Sequence, residues 1–555
     1  MTSRRHFLTQ LAGAAPLVLL APACASRLAR QQRGKERATE FLIIGGSLGG
    51  CAAAVAACEA GLRVILTEET DWIGGQLTAQ AVPPDENQWI ESYGGTRRYQ
   101  ALRQAMRDTI RARPALTASA RRNATLNPGN GWVSRVCVEP RVALAALEAQ
   151  LAPHVASGRL TILRRHVAIA ADVEGARVRS VRVRDLETGR EQLLHAAYVA
   201  DATDTGMLLP LTGTEYVQGA ESVAETTEPH AKARAEPDNV QSCTMCFAMD
   251  YLPGEDHTID RPTEYDRWRA EPLPGVPGFP LIGFGDPDSQ RIGFDPVKRT
   301  GYWSYRRIID RDLYAPGTYP SDVTIVNWAQ NDYTLGSLLD GSAADAARHI
   351  HRATQQSLSL LYWLQTEAPR PDGGMGWRGL RLRPDIVGTT NGLAKAPYIR
   401  ESRRIRAEFT VLEQHVLAEL RMAETGLSEK TVRAQAYSDS VGIGHYAMDI
   451  HRTTRGDHGG YGTTLPFQIP LGALLPQRME NLLPACKNLG VTHLTNGCFR
   501  LHPIEWNIGE SVGQLVAFAL AHRVTPRAVR AQPALLASFQ QTLTQAGVRL
   551  SWPAL

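Results

Sequence analysis

The sequence predicts an α/β chain organised around a parallel sheet, and three observations carry that reading. Glu40–Ile44 is a short apolar run of the kind buried in parallel sheets. A glycine-rich turn and a helix of small residues follow it, and a second run, Leu62 to Thr67, ends on Glu68. Strand, tight turn, helix and strand with a terminal acid are the context a dinucleotide-binding unit requires. Composition agrees: 555 residues, 43% hydrophobic and 21% charged, exclude wholesale disorder, collagen and coiled coil. Such a length buries a large core, and eight Cys are too few for a disulfide-dense module. A net charge of +4 predicts no nucleic-acid partner. Only six of the 60 basic residues are Lys, an arginine bias that reads as GC-rich coding rather than anion binding.

Residues 1 to 25 read as an address. A charged start precedes an apolar run from Leu11 to Leu20, too short to span a bilayer, and then small residues suited to cleavage. Arg4-Arg5 followed by Phe7-Leu8 resembles the twin-arginine export signal, whose machinery moves folded proteins. The expectation is a periplasmic protein that takes up a cofactor before export. Ala21 and Pro22 fit a lipoprotein box poorly, so anchoring through Cys24 is the weaker alternative to soluble release. No later stretch is apolar enough for an integral membrane segment.

In the glycine-rich turn, Gly45 permits the bend and Gly50 lets the helix pack closely on the sheet. The helix N-terminus offers free N–H groups and a positive dipole end to a pyrophosphate. Glu68, 18 positions past Gly50, can accept hydrogen bonds from a ribose hydroxyl. Ser47 stands where the fingerprint has its middle glycine. The competing reading is a plain β-α-β crossover. Cys51 and Cys58 share one helix face as small packing residues.

Glu68 through Thr78 resembles the E-x-x-x-x-x-G-G continuation of FAD-binding flavoproteins. That resemblance implies that Gly75 lies along FAD and that Gln76 approaches the flavin. Ala197 to Gly206 resembles the strand ending in Ala-Thr-Gly where the chain passes the cofactor again, which brings in Thr203, with Asp204 in place of the glycine. Leu160 to Val167 and Arg177 to Arg184 read as strands around a turn at Glu174-Gly175. The resemblance gives Val167 a backbone contact to adenine. Further on, Trp506 to Gln514 is expected to open a long apolar helix, with Ile508 and Gly509 at a positive N-terminus beside the N1/O2 edge of the flavin. The alternative is a glycine-containing core helix.

Over nearly the whole mature chain the sequence resembles the FAD-oxidored family of the glutathione-reductase and succinate-dehydrogenase flavoprotein superfamily. VPPDENQWIE at 82–91, NWAQNDY at 327–333, PYIRESRRI at 397–405 and SDSVGIGHYAMDIH at 438–451 also match. The resemblance implies an FAD-dependent oxidoreductase. Its α/β fold would be a Rossmann-like, discontinuous FAD-binding domain (GR2-type) with an inserted α+β substrate/cap domain. It hardly implies a substrate. Some members carry the label "xanthan lyase", so a polysaccharide lyase-like protein stays as an alternative, as does a reductase using external electrons. GGQLTAQAVPP stands where disulfide reductases place a redox Cys pair, which excludes them, and no second glycine fingerprint supports an NAD(P)H domain.

The chemistry expected is dehydrogenation of a small polar substrate (alcohol, sugar or amine) by hydride transfer to flavin N5, with the protein removing a proton. Histidine is the usual base. His493, after a turn at Gly490, is the first candidate, and a His hydrogen-bonded to FAD or backbone is the competing reading. His451, His445 and His502 come next, with Arg500 as an anion or flavin-O2 partner. Asp449 and His451, two apart, share a strand face. Cys243 and Cys246 form a lone C-x-x-C, open to disulfide, redox or packing roles and a poor zinc site, so no metal is expected. The electron acceptor (oxygen, a quinone or a carrier) is left open. Arg400 to Arg406 reads as a solvated or interdomain helix face paired with Glu401 and Glu408.

The expected organisation is a signal peptide at 1–25, a linker at 26–39, FAD-binding parts at 40–215 and 435–525, a cap at 216–434 and a tail at 526–555. Helices near 343–365 and 398–425 fall in the cap, with a Pro- and Gly-rich loop at 252–300 over the site.

Overall fold

The computed structural model describes residues 36–339 and 341–553, so the twin-arginine motif, the cleavage sites and Cys24 lie outside the described residues. Strand β1 (Glu36–Ile44) leads through the glycine turn into helix α1 (Leu48–Glu59) and β2 (Val64–Glu68), which is buried throughout. The strands run parallel, Phe41 opposite Val64 and Ile44 opposite Thr67. Helix α2 (Pro140–Ala156) returns the chain to β3 (Leu160–Arg164), parallel to β2. An antiparallel hairpin, β4 (His166–Glu174) and β5 (Arg177–Asp185), then feeds β6 (Glu191–Asp201), which lies parallel to β1 on its other side. Residues 36–39, expected in the linker, belong to β1. The 11-residue β6 is long enough to pair with them, Glu36 opposite Leu193.

The cap is built on a four-stranded antiparallel sheet of β7 (Phe247–Tyr251), β8 (Arg307–Ile309), β9 (Val323–Val326) and β10 (Leu380–Leu382), in the order β8-β9-β7-β10. Helix α3 (Ala343–Thr366) starts at a capping box, Ser342 with Asp345, and buries Leu360, Leu361 and Leu364. The loop at 252–300 is partly anchored at the end of α3, where Tyr265 Oη donates to Glu367, the residue that caps the helix, at 2.5 Å. A second long cap helix does not form. Tyr398–Ile399 and Arg404–Ile405 are strands, and α-helix is confined to Ala418–Thr425. The cause is charge. Arg400 and Arg404 are 1% and 0% exposed, not on a solvated face, and extended backbone delivers them to buried carboxylates on other segments.

Strand β11 (Leu482–Pro484) completes the main sheet in parallel with β6, Pro484 opposite Asp201. This Rossmann-like α/β sheet therefore joins segments some 280 residues apart. Helix α4 (His493–Phe499) precedes α5 (His502–His522), which packs along α1. The expected tail is folded: helices Pro526–Ala531 and α6 (Pro533–Gln545) bury Val529, Phe539 and Leu543. Among the described residues no helix is long and apolar enough to cross a membrane.

Candidate active site

Strands β1, β2, β6 and β11 end on one edge of the sheet, at Ile44, Glu68, Asp201 and Pro484, the edge at which open α/β sheets bind ligands. The glycine turn is pressed between the chain segments that leave this edge. Gly45 has φ +100°, and a Cβ there would lie 2.4 Å from the Ala202 carbonyl carbon. A Cβ on Gly49 would lie 1.9 Å from the Ala485 carbonyl oxygen. Ser47 caps α1, its Oγ accepting the Gly50 N–H at 3.2 Å. Glu68 accepts from the N–H groups of Gly46 (3.1 Å) and Thr70 (2.7 Å), and burial pushes its carboxyl up to about 7.

The Gly74-Gly75 turn rests on this loop, with Gly74 N–H donating to the Gly46 carbonyl at 2.6 Å. The Gln76 side-chain amide donates to the Arg500 carbonyl (3.0 Å) and to the Glu505 carboxylate, which also accepts the Gly49 N–H at 3.0 Å. Thr203 Oγ1 donates to buried Asp201 at 2.7 Å. Asp204 accepts from Gln80 at 2.7 Å and pairs with the buried Lys487 ammonium.

Ile508 and Gly509 are not at a helix N-terminus. Helix α5 begins at His502, because Pro503 and Glu505 form a first turn, so Ile508 and Gly509 lie in its interior. Gly509 serves close helix packing, since a Cβ there would meet the Gly49 carbonyl oxygen at 1.9 Å. Gly490 is also closely packed. It packs against Ala407 and Phe409, where a Cβ would have contacts at 2.5 Å. Val167 sits in β4, paired with Arg184.

Beside the edge lies a cluster of charges and phenols. Asp85 accepts from the Arg306 guanidinium at 3.2 Å, and its N–H donates to His502 Nδ1 at 3.0 Å. Burial lowers His502 to about 4, so its ring is neutral. Arg500 donates to the Tyr398 hydroxyl at 2.6 Å and lies 3.3 Å from Asp449 Oδ2. His451 Nε2 is 3.3 Å from the same Asp449 oxygen, and its Nδ1 is 2.7 Å from Asp332. Asp332 also takes the Thr244 hydroxyl (2.6 Å) and Arg400 (2.9 Å). Burial raises Asp332, but Arg400 and His451 outweigh it and hold the carboxyl well below the usual carboxylate range.

Of the candidate bases, the structure joins His451 to Arg500 through Asp449, sets His502 beside Asp85, and leaves His445 and His493 apart. His445 packs edge-on to Trp89 with centroids 5.0 Å apart, and burial lowers its pKa. His493 belongs to a second buried network, with Nδ1 2.9 Å from Glu401 and its N–H donating to Glu221 at 2.8 Å. Burial lowers the His493 pKa, but the Glu401 carboxylate more than reverses this and leaves it raised. Cys243 and Cys246 are free and buried, and burial pushes each thiol up to about 12. Sequence reasoning missed Asp85, Arg306, Asp332 and Tyr398 as site residues. Three of them lie in matching stretches (82–91, 327–333 and 397–405), where the motif itself was the available signal.

The model of the FAD dependent oxidoreductase family matches residues 40–543. The chain belongs to that family. It is an enzyme and its cofactor is FAD. Among solved structures, an anhydrotetracycline hydroxylase from Streptomyces rimosus is 12% identical over 92% of this chain and 67% of its own, with a TM-score of 0.32. A geranylgeranyl bacteriochlorophyll reductase-like protein from Thermoplasma acidophilum is 11% identical over 93% and 85%, with a TM-score of 0.30. A myxobacterial chondrochloren halogenase is 17% identical over 40% of this chain, with a TM-score of 0.22, and the chain covers 45% of the halogenase. No curated protein matches the chain.

The sheet edge of this oxidoreductase fits FAD by a test of its own side chains. Gln76 Oε1, Gln80 Oε1 and His502 Nε2 are buried and have no hydrogen-bond partner within the protein. Buried polar groups are ordinarily satisfied, and three unsatisfied ones on segments adjoining a side-chain-free glycine turn suit a polar ligand laid along it.

Proposed function

We propose that this oxidoreductase dehydrogenates a small polar substrate, with His451 as the base. The observation that carries this reading is the link between cluster and cradle: the carbonyl of Arg500 receives Gln76 from the glycine-pair turn, while its guanidinium meets Asp449 beside His451. Gly45, Ser47, Gly50, Glu68, Gly75, Gln76 and Thr203 would hold FAD, with the start of α5 in place of Ile508 and Gly509. Bound FAD supplies the acceptor for the hydride that leaves the substrate carbon. Asp332 fixes the His451 ring through Nδ1, which leaves Nε2 to take the hydroxyl or amine proton as substrate displaces Asp449. Arg500 and Arg306 orient substrate oxygens, and neutral His502 adds no charge of its own beside Asp85 and Arg306.

The leader motif supports export after cofactor loading, and replacing Arg4-Arg5 with Lys-Lys should retain the yellow protein in the cytoplasm. The central test is anaerobic mixing of the FAD-loaded enzyme with alcohols, sugars and amines. Bleaching of the flavin by one of these classes is expected. A protein that bleaches with none, yet is reduced by an external donor and passes electrons to a substrate, would be a reductase instead.

A further inference from the structure

We propose that the surface carrying Trp132 is a carbohydrate subsite, and that the substrate entering the cluster is a neutral saccharide of more than one ring. This rests on the dehydrogenation reading above and narrows it.

Trp132 is 58% exposed, although a large apolar ring left in water forgoes the burial that most tryptophans obtain. Its loop is held firmly. Asn127 Nδ2 donates to the carbonyls of Gly131 (3.0 Å) and Ser134 (2.8 Å), and Val133 N–H donates to the Tyr305 carbonyl at 3.3 Å. Gly129 packs so tightly on the neighbouring strand that a Cβ would lie 1.9 Å from the Arg307 carbonyl oxygen. The ring rests on Tyr305 with centroids 4.4 Å apart. The fold thus presents a rigid aromatic plate to solvent.

Tyr305 connects that plate to the cluster. Its ring carries the Arg306 guanidinium 4.9 Å from its centroid, and Arg306 is the partner of Asp85. The arginines of the cluster are each matched by a carboxylate, with His451 between Asp332 and Asp449. Arg306 faces Asp85, Arg500 faces Asp449 and Arg400 faces Asp332, one for one. A charged substrate would upset this pairing where Asp85, Arg306, Asp332, Arg400 and Arg500 are all buried. A hydroxyl both donates and accepts, so it can use the spare carboxylate lone pairs and the unpartnered Nε groups of Arg306 and Arg500 without bringing charge. Hydroxyls for the cluster and an apolar C–H face for an adjoining indole are both presented by a saccharide. The plate lies outside the cluster, so it serves a ring other than the reacting one.

The test uses the FAD-loaded enzyme under anaerobic conditions, with calorimetry and flavin absorbance as separate readouts. The probes are cellotriose, maltotriose and mannotriose, the corresponding monosaccharides, and galacturonate and glucosamine as charged counterparts. At least one trisaccharide should bind about tenfold tighter than its monosaccharide, and Trp132→Ala should abolish that advantage. FAD content and Tm of the variant should match wild type, because the ring is exposed. Equal trisaccharide affinity in wild type and Trp132→Ala would overturn the proposal, as would absence of trisaccharide binding or preference for either charged sugar. Trp132-dependent binding without bleaching would keep the subsite and remove the dehydrogenation reading. Bleaching by a non-sugar alcohol or amine, with no trisaccharide bound, would remove the subsite and keep the redox reading.

Discussion

At the glycine turn the fit is made by backbone and by missing side chains: Gly45, Gly49 and Gly50 leave no room for a Cβ against Ala202 just past β6, Ala485 just past β11 and the turn itself. At the Asp85–His451 cluster the fit is made by charged side chains from segments scattered between residues 85 and 502, each needing a partner of opposite sign. On the proposed reading the first region is where the cofactor lies, and it tolerates almost no added atom. The second would handle the reacting proton, and its failure should leave the cofactor in place.

The largest effect should come from the cradle. Gly49→Ala places a methyl against the Ala485 carbonyl, and no flavin-bearing protein should be recovered, as read from flavin absorbance after purification. Normal yellow protein would mean that the turn is looser than described. On the other side, His451→Ala should stay yellow and lose roughly 10²- to 10⁴-fold in kcat. Next comes the buried pair beside His502: Asp85→Asn leaves Arg306 without its carboxylate and should cost about 3–5 kcal/mol in denaturant unfolding of the holoprotein.

The cradle was far more legible in the sequence than the cluster, for a physical reason. Gly45, Gly50 and Glu68 lie in one strand–turn–helix–strand stretch, where spacing alone reports the geometry. Asp85, Arg306, Asp332 and Tyr398 come together only through the tertiary fold, and in sequence each looks like an ordinary polar residue. The same blindness misplaced Arg400 to Arg406 as a helix, because buried carboxylates on other segments decide its conformation. It also misplaced the start of α5, where Pro503 outweighed the glycine at 509. His493 and His451 are equally plausible as sequence, and only their partners separate them.

A smaller effect concerns that second network. His493 is raised by Glu401, so its stabilisation is full below the unfolded imidazole value of about 6.5 and is lost as pH climbs through the raised value. Burial raises Glu401, but His493 and Arg404 outweigh it and hold the carboxyl down to about 2, so its share is full above about 4.5 and fades as pH falls towards 2. The pair therefore contributes most between about pH 4.5 and 6.5. A Tm–pH profile should show wild type losing stability on the alkaline side more steeply than His493→Gln, and parallel profiles would contradict the pairing. Smallest of all, Ser47→Gly restores the fingerprint glycine and loses only a helix cap, a change of a few tenths of a kcal/mol with FAD retained.

The separation of cofactor cradle from proton-handling cluster is tested most directly by the rate of anaerobic flavin bleaching under a saturating, bleaching substrate, measured in wild type, His451→Gln and His493→Gln. A fall of about 100-fold or more in His451→Gln, with His493→Gln near the wild-type rate and both variants fully loaded with FAD, is the expected result. The reverse pattern, wild-type bleaching in His451→Gln and a collapse in His493→Gln, would contradict it.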